Sequence, residues 1–186
     1  MEILGNNGFY SCNEQDFKDK IIALEKNSKS PFNNTAKKVL HQLSSELLLS
    51  SFSKKVPQLV ALGFWLRPAQ INDLYLKFIS QENKISIPVS RGTAFHLPPQ
   101  NVDTLFVYSW SLSFLVGNFN IVRVPTEMND ILQWLLDKIH KILREFKIEN
   151  EQIFCRYNTD SGITSYISEK SDLRMIWGGD SKVKLI

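Results

Sequence analysis

From about residue 92 onward, strand-like and helix-like segments alternate, and no other feature of the sequence limits the fold so strongly. Thr93 to Leu97 is a short apolar run that ends at Pro98-Pro99. A helix is expected from about Val102 to Val116, stopped by Gly117-Asn118, because glycine readily takes the left-handed backbone that ends helices. Phe119 to Val124 reads as a strand broken by Pro125. Thr126 to Lys147 places Met128, Ile131, Leu132, Leu135, Ile139, Ile142, Leu143 and Phe146 in one stripe with charges opposite, the pattern of a helix lying on a core. Ile153 to Tyr157, Ile163 to Ser168 and Leu173 to Trp177 then read as strand, helix and strand. A β-α-β-α-β-α-β order implies an α/β fold with a parallel sheet and right-handed crossovers.

The first 83 residues have a different texture. They read as a mostly helical region, with residues 84–186 as the Rossmann-like nucleotide-binding domain. Gln15 to Lys26 carries Phe17, Ile21 and Leu24 on one face. Ala36 to Leu49 spaces Val39, Leu40, Leu43 and Leu47 for a helix, with Asn34 or Thr35 as its cap. Leu59 to Leu66 is a third apolar run, and Pro68 opens a fourth helix. Lys84 to Val89 alternates as a strand would, with Pro88 confining it to an edge.

Composition narrows the functional classes. The net charge of +3 comes from dispersed Lys and Arg, so no basic face points to nucleic acid or an anionic membrane. The longest apolar stretch, Leu105 to Val116, is interrupted by serines, and a membrane span needs about 20 apolar residues. The first residues lack the profile of a signal peptide. Cys12 and Cys155 stand far apart with no metal-ligand spacing, so no metal site is expected, and a cytoplasmic location with reduced thiols is. His41 and His140 fall on helices among lysines and are expected to face solvent, while His96 either lines a cleft or fills the core.

In an open parallel sheet, ligands bind beyond the carboxyl ends of the strands. Three loops lie there: Pro98 to Asn101, Arg123 to Thr126, and Gly178 to Ser181. Two of them run into helices, whose exposed N–H groups favour phosphate oxygens. Neither a Gly-x-Gly-x-x-Gly fingerprint nor a Walker A loop is present, so a dinucleotide would have to be held in a different way.

Several segments together carry a resemblance. They are Gly63-Phe64-Trp65-Leu66-Arg67, then Arg91-Gly92 with His96 and Gln100-Asn101. Gly117-Asn118-Phe119-Asn120-Ile121-Val122-Arg123 follows, and the last is Trp177-Gly178-Gly179-Asp180. From roughly residue 60 to its end the chain resembles the LuxC-like acyl-CoA reductases, the fatty acid reductases of bacterial bioluminescence and their relatives within the aldehyde dehydrogenase superfamily. That resemblance implies a Rossmann-like sheet of the aldehyde dehydrogenase type, present here in part. It also implies NADPH as cofactor and reduction of fatty acyl thioesters, on CoA or on a protein, to aldehydes.

By the same resemblance, Arg123 meets the adenosine ribose, and Thr126 stands where NAD-preferring relatives place a carboxylate. Neither would repel a 2′-phosphate, although Glu127 adjoins. Gly178, Gly179 and Ser181 match the loop beside the pyrophosphate. Asp180 departs from that pattern, since an anion there is unfavourable unless it points away. Pro98 opens the loop in which Asn101 matches an oxyanion-stabilising asparagine, one residue out of the usual spacing; a helix cap is the other reading of Asn101. The family's nucleophilic cysteine lies beyond the Trp177 to Asp180 loop, so neither Cys12 nor Cys155 is assigned that role. The resemblance thus describes the N-terminal part of a longer reductase, completed by a catalytic half or by association. The alternatives are a non-catalytic nucleotide-binding or interaction protein, or a module that binds acyl-CoA without redox chemistry.

Overall fold

The computed structural model describes residues 1–6, 8–24, 29–80, 88–99, 102–158 and 162–177. The period-two segments come together in one sheet. Its strands are β1 (Glu2–Gly5), β2 (Gly8–Ser11), β3 (Thr93–Leu97), β4 (Phe119–Arg123), β5 (Gln152–Arg156) and β6 (Leu173–Ile176), in the order β2-β1-β5-β4-β3-β6. The four strands β5, β4, β3 and β6 are parallel, while β1 and β2 run antiparallel as a hairpin added beside β5.

The helices are α1 (Glu14–Leu24), α2 (Asn34–Leu49), α3 (Pro57–Trp65), α4 (Pro68–Ser80), α5 (Leu105–Leu115), α6 (Asp130–Glu145) and α7 (Ile163–Lys170). The chain steps from β3 to β4 to β5 through α5 and α6, then returns through α7 to set β6 beside β3. Strand periodicity divides the core in two. Leu4, Val122 and Phe154 point into a large cluster with α2, α3, α5 and α6. Ile3, Phe95, Ile121, Ile153 and Cys155 point the other way, towards α1 and α7.

Helix α5 explains its own serine-studded sequence. It packs on β3 and β4 beneath α2, so nearly every side chain from Phe106 to Leu115 is buried. Ser111 turns its hydroxyl back onto the Val107 carbonyl, which satisfies a polar group that has no water to reach. Helix α6 buries Leu132, Leu135, Leu136, Ile139, Ile142 and Leu143, each contributing about 1.5–3 kcal/mol as an upper bound.

Two glycines of the resemblance are fixed by close approach. Gly92 and Gly117 both have positive φ (113° and 88°). A Cβ on Gly92 would collide with the Asp172 carboxylate, and one on Gly117 with the Lys29 carbonyl. The Asp172 carboxylate accepts the Thr93 amide at 2.8 Å, and Asn118 accepts the Arg91 amide at 2.8 Å. These segments therefore stitch the amino ends of the strands together.

Four expectations are adjusted. The hairpin Glu2–Ser11 was not anticipated in a region read as helical, although Asn7-Gly8 between Ile3-Leu4 and Phe9-Tyr10 is a hairpin signal. The cap of α2 is Asn33, whose side chain accepts the Ala36 amide at 2.9 Å. Helix α6 begins at Asp130 and not at Thr126, because the Asn129 side chain accepts the Leu132 amide and starts the helix there. The expected strand Lys84 to Val89 lies outside the described residues, save Pro88 and Val89, which belong to no strand.

Candidate nucleotide site

The parallel strands deliver the chain to a common edge at their carboxyl ends. Strand β3 leads into Pro98, which is buried, and β6 into Trp177, whose amide donates to the Leu97 carbonyl at 3.0 Å. Pro98 and Trp177 thus leave the sheet side by side. Asn101, Gly178, Gly179 and Ser181 lie outside the described residues, as does Asp180.

The ends of β4 and β5 carry the charge. Arg123 shares the α1 and α7 face of the sheet with Ile121, and its guanidinium lies over the Tyr157 ring, 5.0 Å from the centroid. Nη2 donates to the Tyr157 carbonyl at 3.3 Å, while Nε is enclosed with no acceptor. Burial pushes the Tyr157 phenol well above its usual range, so it remains a neutral platform under the cation. Beside it, Cys155 is wholly buried, and burial raises its thiol to about 12 against the pull of Arg123. Cys12 is also buried, with its thiol pKa raised by the same cause.

Starting α6 late leaves Pro125 to Asn129 as an open loop. With Asp103 it lines a cavity of about 500 Å³. Thr126 is exposed there. Asn129 caps α6 with its oxygen and donates from Nδ2 to Asp103 at 2.9 Å, tying the loop to the start of α5.

One residue that the sequence reading passed over stands at the lip of this loop. Arg156, the last residue of β5, donates from Nε to Glu2 at 2.6 Å and from Nη1 to the Thr126 carbonyl at 3.4 Å. Its guanidinium also covers the Phe9 ring at 4.4 Å. Arg123 and Arg156 end neighbouring strands but project from opposite faces, since Arg123 pairs with Cys155 in register. A basic residue closing a second strand was the available signal.

His96 resolves to the core. It is fully buried, with Nδ1 2.8 Å from Ser109 Oγ and Nε2 2.8 Å from Asn120 Oδ1. Asn120 donates from Nδ2 to Gln152, whose side-chain oxygen also accepts from Trp110 Nε1 at 2.8 Å. Since Asn120 presents its oxygen, the neutral imidazole carries its proton on Nε2 and accepts from Ser109. Burial lowers its pKa to about 4 despite the Asn120 bond. His41 is exposed, as expected, but His140 is half-buried with Nε2 enclosed and unpartnered. It borders a cavity of about 680 Å³ at the opposite end of the sheet, between the hairpin and α6. Among the described residues no group of His, Cys, Asp and Glu could hold a metal ion, and no helix is long and apolar enough to cross a membrane.

The sequence profile of the acyl-CoA reductases (LuxC) matches residues 71–186. The chain belongs to the LuxC acyl-CoA reductase family. The fold of this LuxC-family chain is similar to that of the glyceraldehyde-3-phosphate dehydrogenase GapN from Methanocaldococcus jannaschii DSM 2661, solved in complex with NADP, with a TM-score of 0.58 at 11% identity. The likeness covers 92% of this chain and 48% of GapN, so the LuxC-family chain spans about half the length of that dehydrogenase. At this identity the likeness speaks for a Rossmann-type fold of the aldehyde dehydrogenase kind. A comparison with curated proteins finds none that matches.

Proposed function

We propose that this chain is the cofactor-binding part of an NADPH-dependent acyl-CoA reductase that converts fatty acyl thioesters to aldehydes. The observation that carries the reading is the open loop after β4, with Arg123 ending that strand, in a chain matched to the LuxC family. The residues present suit a dinucleotide. Arg123 has an enclosed Nε without an acceptor. Thr126 offers a hydroxyl in place of a carboxylate, and the cavity beside it is open to solvent. Asp103 and Glu127 on that cavity would accept bonds from ribose hydroxyls.

When bound, NADPH would supply the hydride that reduces the acyl carbon. The part of this chain is to bind and orient. Arg123 and the α6 loop would hold the adenosine end, and Pro98, Gly178, Gly179 and Ser181 would serve the pyrophosphate. Asn101 would steady the thioester oxygen. The buried Cys155 and Cys12 do not serve as nucleophile.

Isothermal titration calorimetry of the chain with NADPH and NADH tests this. Saturable binding of NADPH, weakened about tenfold or more in Arg123→Ala by loss of a charged contact, is the expected result. A folded chain that binds neither nucleotide would sink the proposal. It would leave the second reading, an interaction protein, which the exposed Leu173 and Trp177 along edge strand β6 favour.

A further inference from the structure

Away from the nucleotide loop, a small cavity of about 300 Å³ opens between α2 and α4. Its walls are Lys37, Lys38 and His41 from α2, with Pro68, Ile71 and Asn72 from the start of α4. No carboxylate is among them, and Asp73, next in sequence, stands outside the lining. Other cations of the fold are answered by acids, as Lys29 is by Glu151 and Lys138 by Glu46. Neither Lys37 nor Lys38 has a carboxylate partner among the described residues. Stability does not call for two lysines here. They fall where the first turn of α2 gives way to the second, with no acid in that first turn, and cations near this end of a helix are mildly unfavourable. Lys37 is nonetheless held in place, its Nζ 4.0 Å from the centroid of the Tyr75 ring on α4. The buried Ile71 adds an apolar side to the cavity.

We infer that this cavity takes the phosphate group of a small phosphate monoester, with Lys37 and Lys38 as its charged contacts and His41 as a further donor. A lysine ammonium brings three donors and no acceptor, and an imidazole brings at least one N–H. An anion bound here meets no opposing carboxylate, whereas the cavity after β4, lined by Asp103 and Glu127, suits hydroxyls. The volume stands at the lower end of the range for small-molecule pockets, about 300–1,000 Å³. Pro68 and Ile71 offer apolar contact to the body of an ester, which a bare phosphate lacks. The place is also distinct. Helix α2 sets off beside the end of α5, where Phe32 donates its amide to Leu115, and Gln42 bonds to Glu145 at the end of α6. Both of those helices end towards the amino side of the strands, away from the nucleotide loop. The ester is therefore a ligand separate from the cofactor.

The imidazole protons of His41 give a local reading by NMR, assigned through their loss in His41→Gln. The whole chain is titrated at fixed pH and ionic strength, in phosphate-free buffer, with inorganic phosphate, glucose 6-phosphate and AMP. The expected result is a saturable shift of the His41 signals, with a dissociation constant on the order of 1 mM or tighter for at least one ester. Inorganic phosphate should bind that site at least about threefold more weakly. The signals of the buried His96 should stay where they are. Lys37→Gln and Lys38→Gln should each weaken the ester about fivefold or more, and Lys38→Arg should keep most of the affinity. Lys55→Gln removes the same charge from an exposed position outside the cavity, and should change the affinity less than about twofold because of salt screening. Lys38 is exposed and unpaired, so Lys38→Gln should unfold at the parent's urea midpoint, which separates lost binding from lost structure. Equal weakening in Lys55→Gln would reduce the effect to net charge and overturn the inference. Inorganic phosphate binding as tightly as both esters would overturn it, and so would the absence of a saturable shift with all three.

Discussion

The two faces of the sheet solve burial in different ways. On the α5 and α6 side, β3, β4 and β5 contribute His96, Asn120 and Gln152 to the buried surface, joined by Ser109 and Trp110. On the α1 and α7 side the same strands contribute Phe95, Ile121, Ile153 and Cys155, and the burial is apolar. The first face is held by direction as well as by area, because each of its polar groups has its partner only when the strands stand in one register. The second face is held by area, with Arg123 at its rim. The thick face fixes the strand ends in place. The open loop beside them is lined from the starts of α5 and α6 on that same side, while the thin face carries apolar burial.

The comparison breaks hardest at Trp110. Trp110→Ala removes a fully buried ring stacked on Phe114 and edge-on to Phe154, and also leaves Gln152 short of a donor. A loss of about 3–5 kcal/mol is expected from the cavity alone, measured by urea unfolding. Less than about 2 kcal/mol would mean that the α5 face is not the specified one.

The next effect depends on pH. His96 has its pKa depressed to about 4 in the fold, against about 6.5 in an unfolded chain. The unfolded chain therefore binds more protons between these values. The stabilisation is fully present above about 6.5 and drains away as pH falls towards 4, amounting to roughly 3 kcal/mol in all. Unfolding free energies measured across that window should fall with acidity, and His96→Gln should flatten the slope. An unchanged slope in the variant would assign the titration to another group.

The smallest effect is on the apolar face. Cys155→Ala should cost only about 1 kcal/mol, as for the loss of a small buried group without a hydrogen bond. In the parent chain, both cysteines should resist a thiol reagent at pH 8 until denaturant is added, since both are buried and their thiols are raised in pKa. Rapid labelling of Cys155 in the folded chain would show that the thin face opens readily.

What the sequence disclosed follows the reach of its signals. Thr93 to Leu97 and Phe119 to Arg123 could be read as strands because glycine, proline and apolar runs mark them locally. Asn129 was missed as the start of α6 because the stripe of apolar residues runs back to Met128, and only the side-chain cap at Leu132 sets the boundary. Shifting that start by four residues turned Thr126 from a helical residue into part of an open loop, which decides what it can bind. The His96 network was out of reach for another reason. Its members come from β3, α5, β4 and β5, and nothing in the neighbourhood of His96 in sequence names Asn120 or Gln152 as partners. Arg156 was passed over for the same cause, its main partner being 154 positions away at Glu2.

That long closure sets an order of events during synthesis. Strand β1 is made well before β5, and its place beside β5 does not exist until Arg156 has been made. At translation rates of about 5–20 residues per second, β1 waits roughly ten to thirty seconds for its neighbour. Until then Glu2 and Phe9 have no cation to hold. The lip of the loop after β4 therefore takes shape only once β5 exists, although the strand that holds Arg156 is made long before.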